Sequence, residues 1–263
     1  MTRSFHFSRP AAVAGLAVVG ALAMTGCGTE TVCPPGPRAT YDLLSLSSTS
    51  DLVTAQKLAP TATKEIADRA SRSCALVRTG ITTGGSISNL EIVPVKATVP
   101  SGTAAKRGPV LDQYQQRLET GLKAFPTQLD HLKATPGSPV FATVLRAIKE
   151  HGDAASGTPG PLVIALITDG IAIETTDLGR LLDLQAKTVD PDALRQTAGE
   201  LRDALKQTHV HASVLIIGFG ANSRLGDPQI NRAQQLLEQT FKAAGIAVRF
   251  SRSDVPADPP ATA

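Results

Sequence analysis

The residues best suited to chemistry follow an apolar run in the second half of the chain. Residues Leu162 to Thr168 are apolar or small without alternation, which is typical of a strand covered on both faces in a parallel sheet. Asp169 and Gly170 come directly after this run. Because ligands bind at the carboxyl ends of the strands in open α/β sheets, we expect the Asp169 carboxylate to lie at the rim of a crevice. The alternative is that Asp169 and Gly170 form only a turn.

A group of hydroxyl side chains follows the first predicted strand. Ser45, Ser47, Ser48, Thr49 and Ser50 lie just before a segment with helical spacing. Serine and threonine are the ordinary residues that cap helix starts, so a capping cluster is one interpretation. Their oxygens are also ligands for hard cations, so a binding site is the other.

Helix-like and strand-like segments alternate between these groups and predict the elements that must position them. Apolar residues recur with helical spacing in residues 51–72, 111–132, 140–151, 191–208 and 230–244. Strand-like runs occupy residues 41–46, 75–82, 89–99, 162–168, 211–219 and 246–250. This order predicts an α/β fold, with a doubly wound, mostly parallel sheet and helices on both faces in three layers.

Proline and glycine refine this prediction. Gly84-Gly85 indicates a hairpin at one edge of the sheet, and Pro94 favours an edge strand because it cannot donate a ladder hydrogen bond. We expect Pro60 to kink or divide the first helix and Pro126 to bend or split the second. Residues 171–190 fit neither pattern.

The first 26 residues have the organisation of an export signal. Two arginines precede an apolar run at 11–23 that is too short to span a bilayer comfortably. Residues 24–27 read Met-Thr-Gly-Cys, which resembles the bacterial lipoprotein signal. That resemblance implies cleavage before Cys27 and attachment of lipid, including palmitate, to this cysteine. The alternative is ordinary cleavage that leaves a free thiol.

The remaining segments follow from this assignment. We expect residues 27–40, which contain three prolines, to be a tether, residues 41–252 to be the domain, and residues 253–263 to be a disordered tail without core residues. The protein would then be lipid-anchored at the extracytoplasmic face of the cell membrane. Removal of the signal leaves 24 basic and 23 acidic side chains, which gives no electrostatic argument for binding nucleic acid.

Cys33 and Cys74 form an even pair once Cys27 carries lipid. In an exported protein without a Cys-x-x-Cys motif, such a pair favours a disulfide over a metal site. We therefore expect a Cys33–Cys74 bond that ties the tether to the end of the first helix.

The order of elements and the polar loops resemble the von Willebrand factor type A domain over roughly residues 39–251. The resemblance rests on the hydroxyls after the first strand, on Gly137-Ser138 before a helix, and on Thr168-Asp169-Gly170 after a central strand. In that family three loops commonly form a metal-ion-dependent adhesion site. The first loop has the pattern Asp-x-Ser-x-Ser, the second supplies a Thr and the third an Asp.

The match to that site is partial. Ser47 and Thr49 take the two hydroxyl positions of the first loop, but Ser45 stands where the Asp is expected. Ser138 takes the Thr position and Asp169 the third-loop position. These oxygens suit Mg²⁺ or Ca²⁺, but with a single carboxylate we expect weak or absent binding.

Other titratable residues are not assigned to the site. Asp42 lies within the first strand and Asp51 within the helix, so neither occupies the position of the missing Asp. His209 and His211 lie at the beginning of a strand, opposite the end where the crevice is expected. The sequence lacks a Gly-x-Ser-x-Gly elbow, a Walker loop and a His-Glu-x-x-His motif, and places no base beside a serine, so we expect no enzyme.

These observations favour a membrane-anchored bacterial lipoprotein whose domain binds another envelope protein, with weak cation dependence or none. The expected binding residues are Ser45, Ser47, Thr49, Ser138, Asp169 and Gly170. The alternatives are a cell-envelope hydrolase that uses the same crevice and a structural envelope lipoprotein without a ligand.

Overall fold

The structure is a computed structural model that describes residues 31–82, 90–155, 157–175, 181–186, 188–221 and 225–258. The predicted signal peptide and Cys27 lie outside these residues. None of the helices in the described ranges has both the length and the hydropathy needed to cross a membrane.

Strands and helices alternate along the described chain. The strands are β1 (Thr40–Leu46), β2 (Leu76–Thr82), β3 (Glu91–Pro94), β4 (Leu162–Ile167), β5 (Ile173–Thr175), β6 (Leu181–Asp183), β7 (Ala212–Ile217) and β8 (Ala247–Ser251). The helices are α1 (Thr49–Ser73), α2 (Arg107–Leu122), α3 (Ala124–Asp130), α4 (Val140–Ala154), α5 (Pro191–Thr208) and α6 (Asp227–Ala244). The part of the chain that fits no sequence pattern contributes the antiparallel pair of β5 and β6.

The main sheet has the strand order β3-β2-β1-β4-β7-β8. All neighbours are parallel except β2 and β3, which are antiparallel and place Pro94 on the edge strand. In the centre, Leu44 of β1 lies opposite Gly80 of β2 and Leu166 of β4. This is the strand order of a doubly wound α/β sheet, which confirms the predicted fold class.

The core has two halves, one on each face of the sheet. Successive residues of β1 point to opposite faces, so that Leu43 packs in the cluster under α1, α2 and α3, and Leu44 packs in the cluster under α4, α5 and α6. Ile164 and Ala165 of β4 divide in the same way. Helices therefore cover both faces, as predicted.

The two internal prolines have different effects. Helix α1 continues through Pro60, so of the two expected effects, a kink or a division, the division does not occur. The long second helix is split, since α2 ends at Leu122 and α3 begins at Ala124, just before Pro126. Proline fits the first turn of α3 because amide groups there need no partner within the helix.

The amino-terminal segment is attached to the domain. Val32 is fully buried and its amide donates to the carbonyl of Gly102 at 3.0 Å. A disulfide joins Cys33 to Cys74, the residue that caps the end of α1, which confirms the predicted pairing. At Val32 and Cys33, the segment predicted to be a tether therefore packs on the domain instead of extending from it.

The carboxyl-terminal segment also packs on α1. Val255 is buried in the core, so the expectation of a tail without core residues is wrong for this residue. The Arg69 guanidinium donates to the carbonyls of Val255 at 2.9 Å and Pro256 at 2.6 Å. The sequence pattern does not predict the burial of Val255, because a single valine among polar residues shows no periodicity.

Candidate functional site

Three loops meet at the carboxyl edge of the sheet. The first joins β1 to α1, the second precedes α4, and the third follows β4. The amide of Thr135 in the second loop donates to the carbonyl of Ser47 in the first at 2.8 Å. Ser138 and Ile173 exchange backbone hydrogen bonds of 3.0 and 3.2 Å, which fix the second loop against the chain that follows the third.

The Asp51 carboxylate lies at the centre of these loops and is fully buried. Its Oδ1 accepts hydrogen bonds from the Thr168 hydroxyl at 2.7 Å and from the Asp169 amide at 2.9 Å. Its Oδ2 accepts from the Ser48 hydroxyl at 2.5 Å and from the Ser138 hydroxyl. Asp51 thus joins all three loops through one side chain.

Local sequence explains why Asp51 reaches this position. Ser48 is the N-cap of α1, and its hydroxyl oxygen accepts a hydrogen bond from the Asp51 amide at 3.3 Å. Side chains in a helix tilt toward its amino terminus, so a carboxylate in the first turn of α1 points back toward the loop edge. Hydrogen bonds from hydroxyls and an amide stabilise its charge in this buried place.

Asp169 is the second carboxylate of the site and is 3% exposed. Burial first, and then the neighbouring Asp51 carboxylate, raise the pKa of Asp169 to about 6, while hydrogen bonds from Ser50 and from the Ile171 amide oppose this rise. The Ile171 amide donates to Asp169 Oδ1 at 3.0 Å. This local bond is an Asx-turn, so the turn interpretation of Asp169 also holds.

Gly170 is required by this turn. Its φ is +74°, a value that other residues rarely adopt, and its amide donates to the Thr168 hydroxyl at 2.9 Å. A Cβ atom at this position would lie 2.2 Å from Cδ2 of Phe219. Gly170 therefore shapes the third loop and packs against Phe219, two residues after the end of β7.

The other predicted residues of the first loop occupy different environments. Ser45 is buried, and its hydroxyl donates to the carbonyl of Leu46 at 3.1 Å. The Ser47 hydroxyl bonds to the Thr135 hydroxyl at 2.7 Å, and Thr49 is exposed at the first position of α1. The contact that joins the first and third loops runs through Asp51.

Sequence reasoning therefore missed Asp51, and the expectation of a single carboxylate at the site is wrong. Asp51 lies in the helix, as expected, but the first turn of α1 is itself part of the loop edge. The pattern Ser48-x-x-Asp51 is a capping-box signature and was the available signal. Ser48 and Thr168, which contact Asp51, were likewise not assigned to the site from the sequence.

The carboxylate and hydroxyl oxygens of this cluster are the type of ligand that a hard divalent cation prefers. The oxygens of Asp51 already accept from hydroxyls and an amide, so Asp169 and the lone pairs of the Ser48 and Ser138 hydroxyls are the groups that would hold the ion. Within the described ranges, the His, Cys, Asp and Glu side chains form no group of three that could hold a metal. The residues therefore fit weak coordination with much of the ion's water retained.

A third buried carboxylate supports the second loop. Glu174 of β5 accepts hydrogen bonds from the amides of Phe141 and Ala142, both at 2.9 Å, and so caps the start of α4. Burial raises the pKa of Glu174 to about 7, although these hydrogen bonds oppose the rise. Glu174 fixes the helix that begins just after Ser138.

The parallel sheet with one antiparallel edge strand and the helices on both faces have the architecture of a von Willebrand factor A-like fold. This confirms the predicted resemblance as far as the fold is concerned. No protein-family model matches the sequence, and none of the curated proteins matches it.

Three solved structures of known proteins are similar to this chain. The pilus adhesin SpaC from Lactobacillus rhamnosus GG is 13% identical with a TM-score of 0.44, over 84% of this chain and 29% of that chain. The manganese-loaded TRAP protein of Plasmodium vivax is 14% identical with a TM-score of 0.41, over 84% of this chain and 70% of that chain. A von Willebrand factor type A protein from Catenulispora acidiphila is 11% identical with a TM-score of 0.38, over 86% of this chain and 43% of that chain. The chain thus spans less than a third of the adhesin's length.

Proposed function

We propose that this protein is a lipid-anchored extracytoplasmic binding protein that holds a protein partner at the carboxyl edge of its sheet. The observation that carries the proposal is the hydrogen bond from the Asp169 amide to the Asp51 carboxylate, which brings together two buried acidic residues that are 118 residues apart in the sequence. Burial of neighbouring carboxylates costs free energy, and groups perturbed in this way are concentrated at functional sites. Lipid attachment is supported by the sequence around Cys27.

The partner would contact the exposed rim above this pair. Asp51 and Asp169 are 0% and 3% exposed, so a protein surface cannot touch them directly. Thr49 is exposed at the start of α1, and Val53, about one turn later, is a 50% exposed apolar side chain. The rim around Thr49 and Val53 is therefore the contact surface that we propose.

A divalent cation would assist this binding weakly. Asp169, Ser48 and Ser138 would hold it, and its charge would offset the repulsion between Asp169 and Asp51. Thermal unfolding in rising Mg²⁺, Mn²⁺ and Ca²⁺ tests this point, since a ligand of the folded state raises stability with concentration. We expect a rise that Asp169→Asn abolishes and Asp112→Asn, at an exposed site on α2, retains. A wild-type protein without any rise would contradict cation dependence.

Site-specific photocrosslinking in the native envelope tests the partner contact. A crosslinker at Val53 should capture a distinct protein, whereas the same crosslinker at Val93, a similarly exposed valine of β3 at 46%, should not. Equal capture at both positions, or none at Val53, would contradict a partner at the carboxyl edge.

The lipid anchor is tested separately. Mass spectrometry of the exported protein should show a diacylglyceryl group on Cys27, and a Cys27→Ser form should be released from membranes. An unmodified cysteine on membrane-bound protein would refute the anchor.

We propose binding rather than hydrolysis at this edge. Ser47 and Ser138 are 2% and 3% exposed, so neither hydroxyl is open to attack a substrate carbonyl. Turnover of ester or phosphoester substrates that is lost in Ser138→Ala would favour the hydrolase instead.

A further inference from the structure

A basic pocket lies on the opposite edge of the sheet from the carboxylates. It has a volume of about 540 Å³, and its walls include Arg202 and Lys206 of α5, His209 and His211 before β7, and Lys242 of α6. All five side chains are exposed. Asp and Glu are absent from the described residues that line it.

These basic side chains are available to an external anion. None of the five forms an ion pair with another residue in the described ranges. Two other arginines near this edge are neutralised within the domain, since Arg78 pairs with the buried Asp42 at 2.6 Å and Arg69 pairs with Asp258 at 3.0 Å. The pocket therefore concentrates unpaired positive charge in a chain that is otherwise close to neutral.

The pocket shares this edge with the attachment point of the amino-terminal segment. Ala212 lies opposite Leu162, Leu162 opposite Thr40, and Thr40 opposite Leu76, so the parallel strands begin at one level. Cys74 comes just before Leu76 and holds Cys33. Three strand spacings separate β2 from β7, so the basic pocket lies roughly 15 Å along this edge from the start of β2.

Chain length limits the distance from this edge to a membrane. Cys33 follows Cys27 by six positions, which even fully extended span at most about 20 Å. A lipid on Cys27 would therefore hold the amino edge of the sheet close to the bilayer surface.

We propose that the basic pocket docks on the headgroups of anionic phospholipids. Each basic side chain near such a surface strengthens the attraction several-fold. Docking would turn the amino edge toward the membrane and the carboxylate cluster away from it. This orientation rests on the lipid anchor in the proposed function, whereas the contact with headgroups does not.

Vesicle flotation of the chain from residue 27 onward, without the predicted signal and with Cys27→Ser, tests the contact without a lipid anchor. We expect binding to vesicles of phosphatidylcholine with 30% phosphatidylglycerol, and roughly ten-fold or greater loss of binding in Lys206→Glu/Lys242→Glu. The control Lys57→Glu/Lys64→Glu changes two exposed lysines of α1 by the same net charge and should stay within about two-fold of the parent. Circular dichroism confirms that each variant is folded.

Three results would overturn the proposal. The first is equal binding to pure phosphatidylcholine, and the second is an equal loss in both double variants, which would indicate net charge alone. The third is release by inorganic phosphate at constant ionic strength, which would indicate a site for free phosphate. The mass of Cys27 and crosslinking at Val53 are measured independently, so failure here is distinguishable from failure of the proposed function.

Discussion

The backbone amide of Asp169 donates to Oδ1 of Asp51 at 2.9 Å. Through this bond, a residue in the first turn of α1 fixes the end of the central strand β4. The same carboxylate holds hydroxyls from all three loops, so the stability of the domain and the shape of its carboxyl edge depend on one side chain.

Replacement of Asp51 tests this dependence. Asp51→Asn offers one acceptor oxygen where the carboxylate has two, and its amide hydrogens face donors from Ser48 and Ser138. We expect a loss of about 2–4 kcal/mol in the free energy of unfolding, measured with urea. Asp112→Asn serves as a control and should change it by less than about 0.5 kcal/mol. A similarly small change in Asp51→Asn would contradict the central role of this residue.

Glu174 makes stability depend on pH. Its pKa is about 7 in the folded protein against an ordinary value of 4.5, so the folded state holds more protons than the unfolded chain between these values. The free energy of unfolding therefore falls as the pH rises through this range, by roughly 3 kcal/mol from this group. Asp169, with a pKa of about 6, contributes in the same direction.

Glu174→Gln should flatten this decline, because glutamine does not titrate. Urea unfolding between pH 4.5 and 8 measures the difference from the parent. Glu238→Gln, at an exposed position on α6, should keep the decline. If the two variants follow the same pH profile, Glu174 is not the responsible group.

Gly170→Ala tests the third loop. The positive φ and the 2.2 Å approach to Phe219 make a side chain costly here, and we expect a loss of more than about 2 kcal/mol in thermal or urea unfolding. Gly199→Ala, within α5 and with open space around it, should instead stabilise by about 0.5–1 kcal/mol. A neutral Gly170→Ala variant would refute the tight packing of this turn.

The disulfide should stabilise the domain through its loop. Cys33 and Cys74 are 41 residues apart, and closure of such a loop predicts a contribution of about 3–4 kcal/mol. Unfolding of the Cys33→Ala/Cys74→Ala variant, compared with the parent before and after reduction, measures this term. A parent whose stability is unchanged by reduction would contradict it.

The sequence predicted elements with strong periodicity well. Helix α5 has the predicted limits, because Pro191 suits a helix start and apolar residues line one face up to Thr208. Gly245 ends α6 with a φ of +85°, as its position after the last apolar residue indicates. Buried parallel strands such as β4 were also predicted well, because a short continuous apolar run is typical of a strand that is covered on both faces.

The site was predicted less well, because it depends on distances between loops rather than on local patterns. The sequence predicts Asp169 at the carboxyl edge, and the Ser48-x-x-Asp51 pattern indicates a helix start, but only the orientation of α1 in the fold brings Asp51 beside Asp169. Likewise, Val255 carries no pattern, and only the packing of α1 creates the space that it fills. Hydrophobic periodicity predicts helices and strands, but it does not predict which single residues contact each other in the folded domain.

The cross-link between Cys33 and Cys74 has a mechanical consequence. Tension applied through the chain before Cys33 passes across the sulfur atoms to residue 74, and so bypasses the segment between them. Strand β1 and helix α1, which carry Ser48 and Asp51, lie within that shielded segment. A pull at the amino terminus therefore cannot unravel the first loop unless the rest of the sheet yields first.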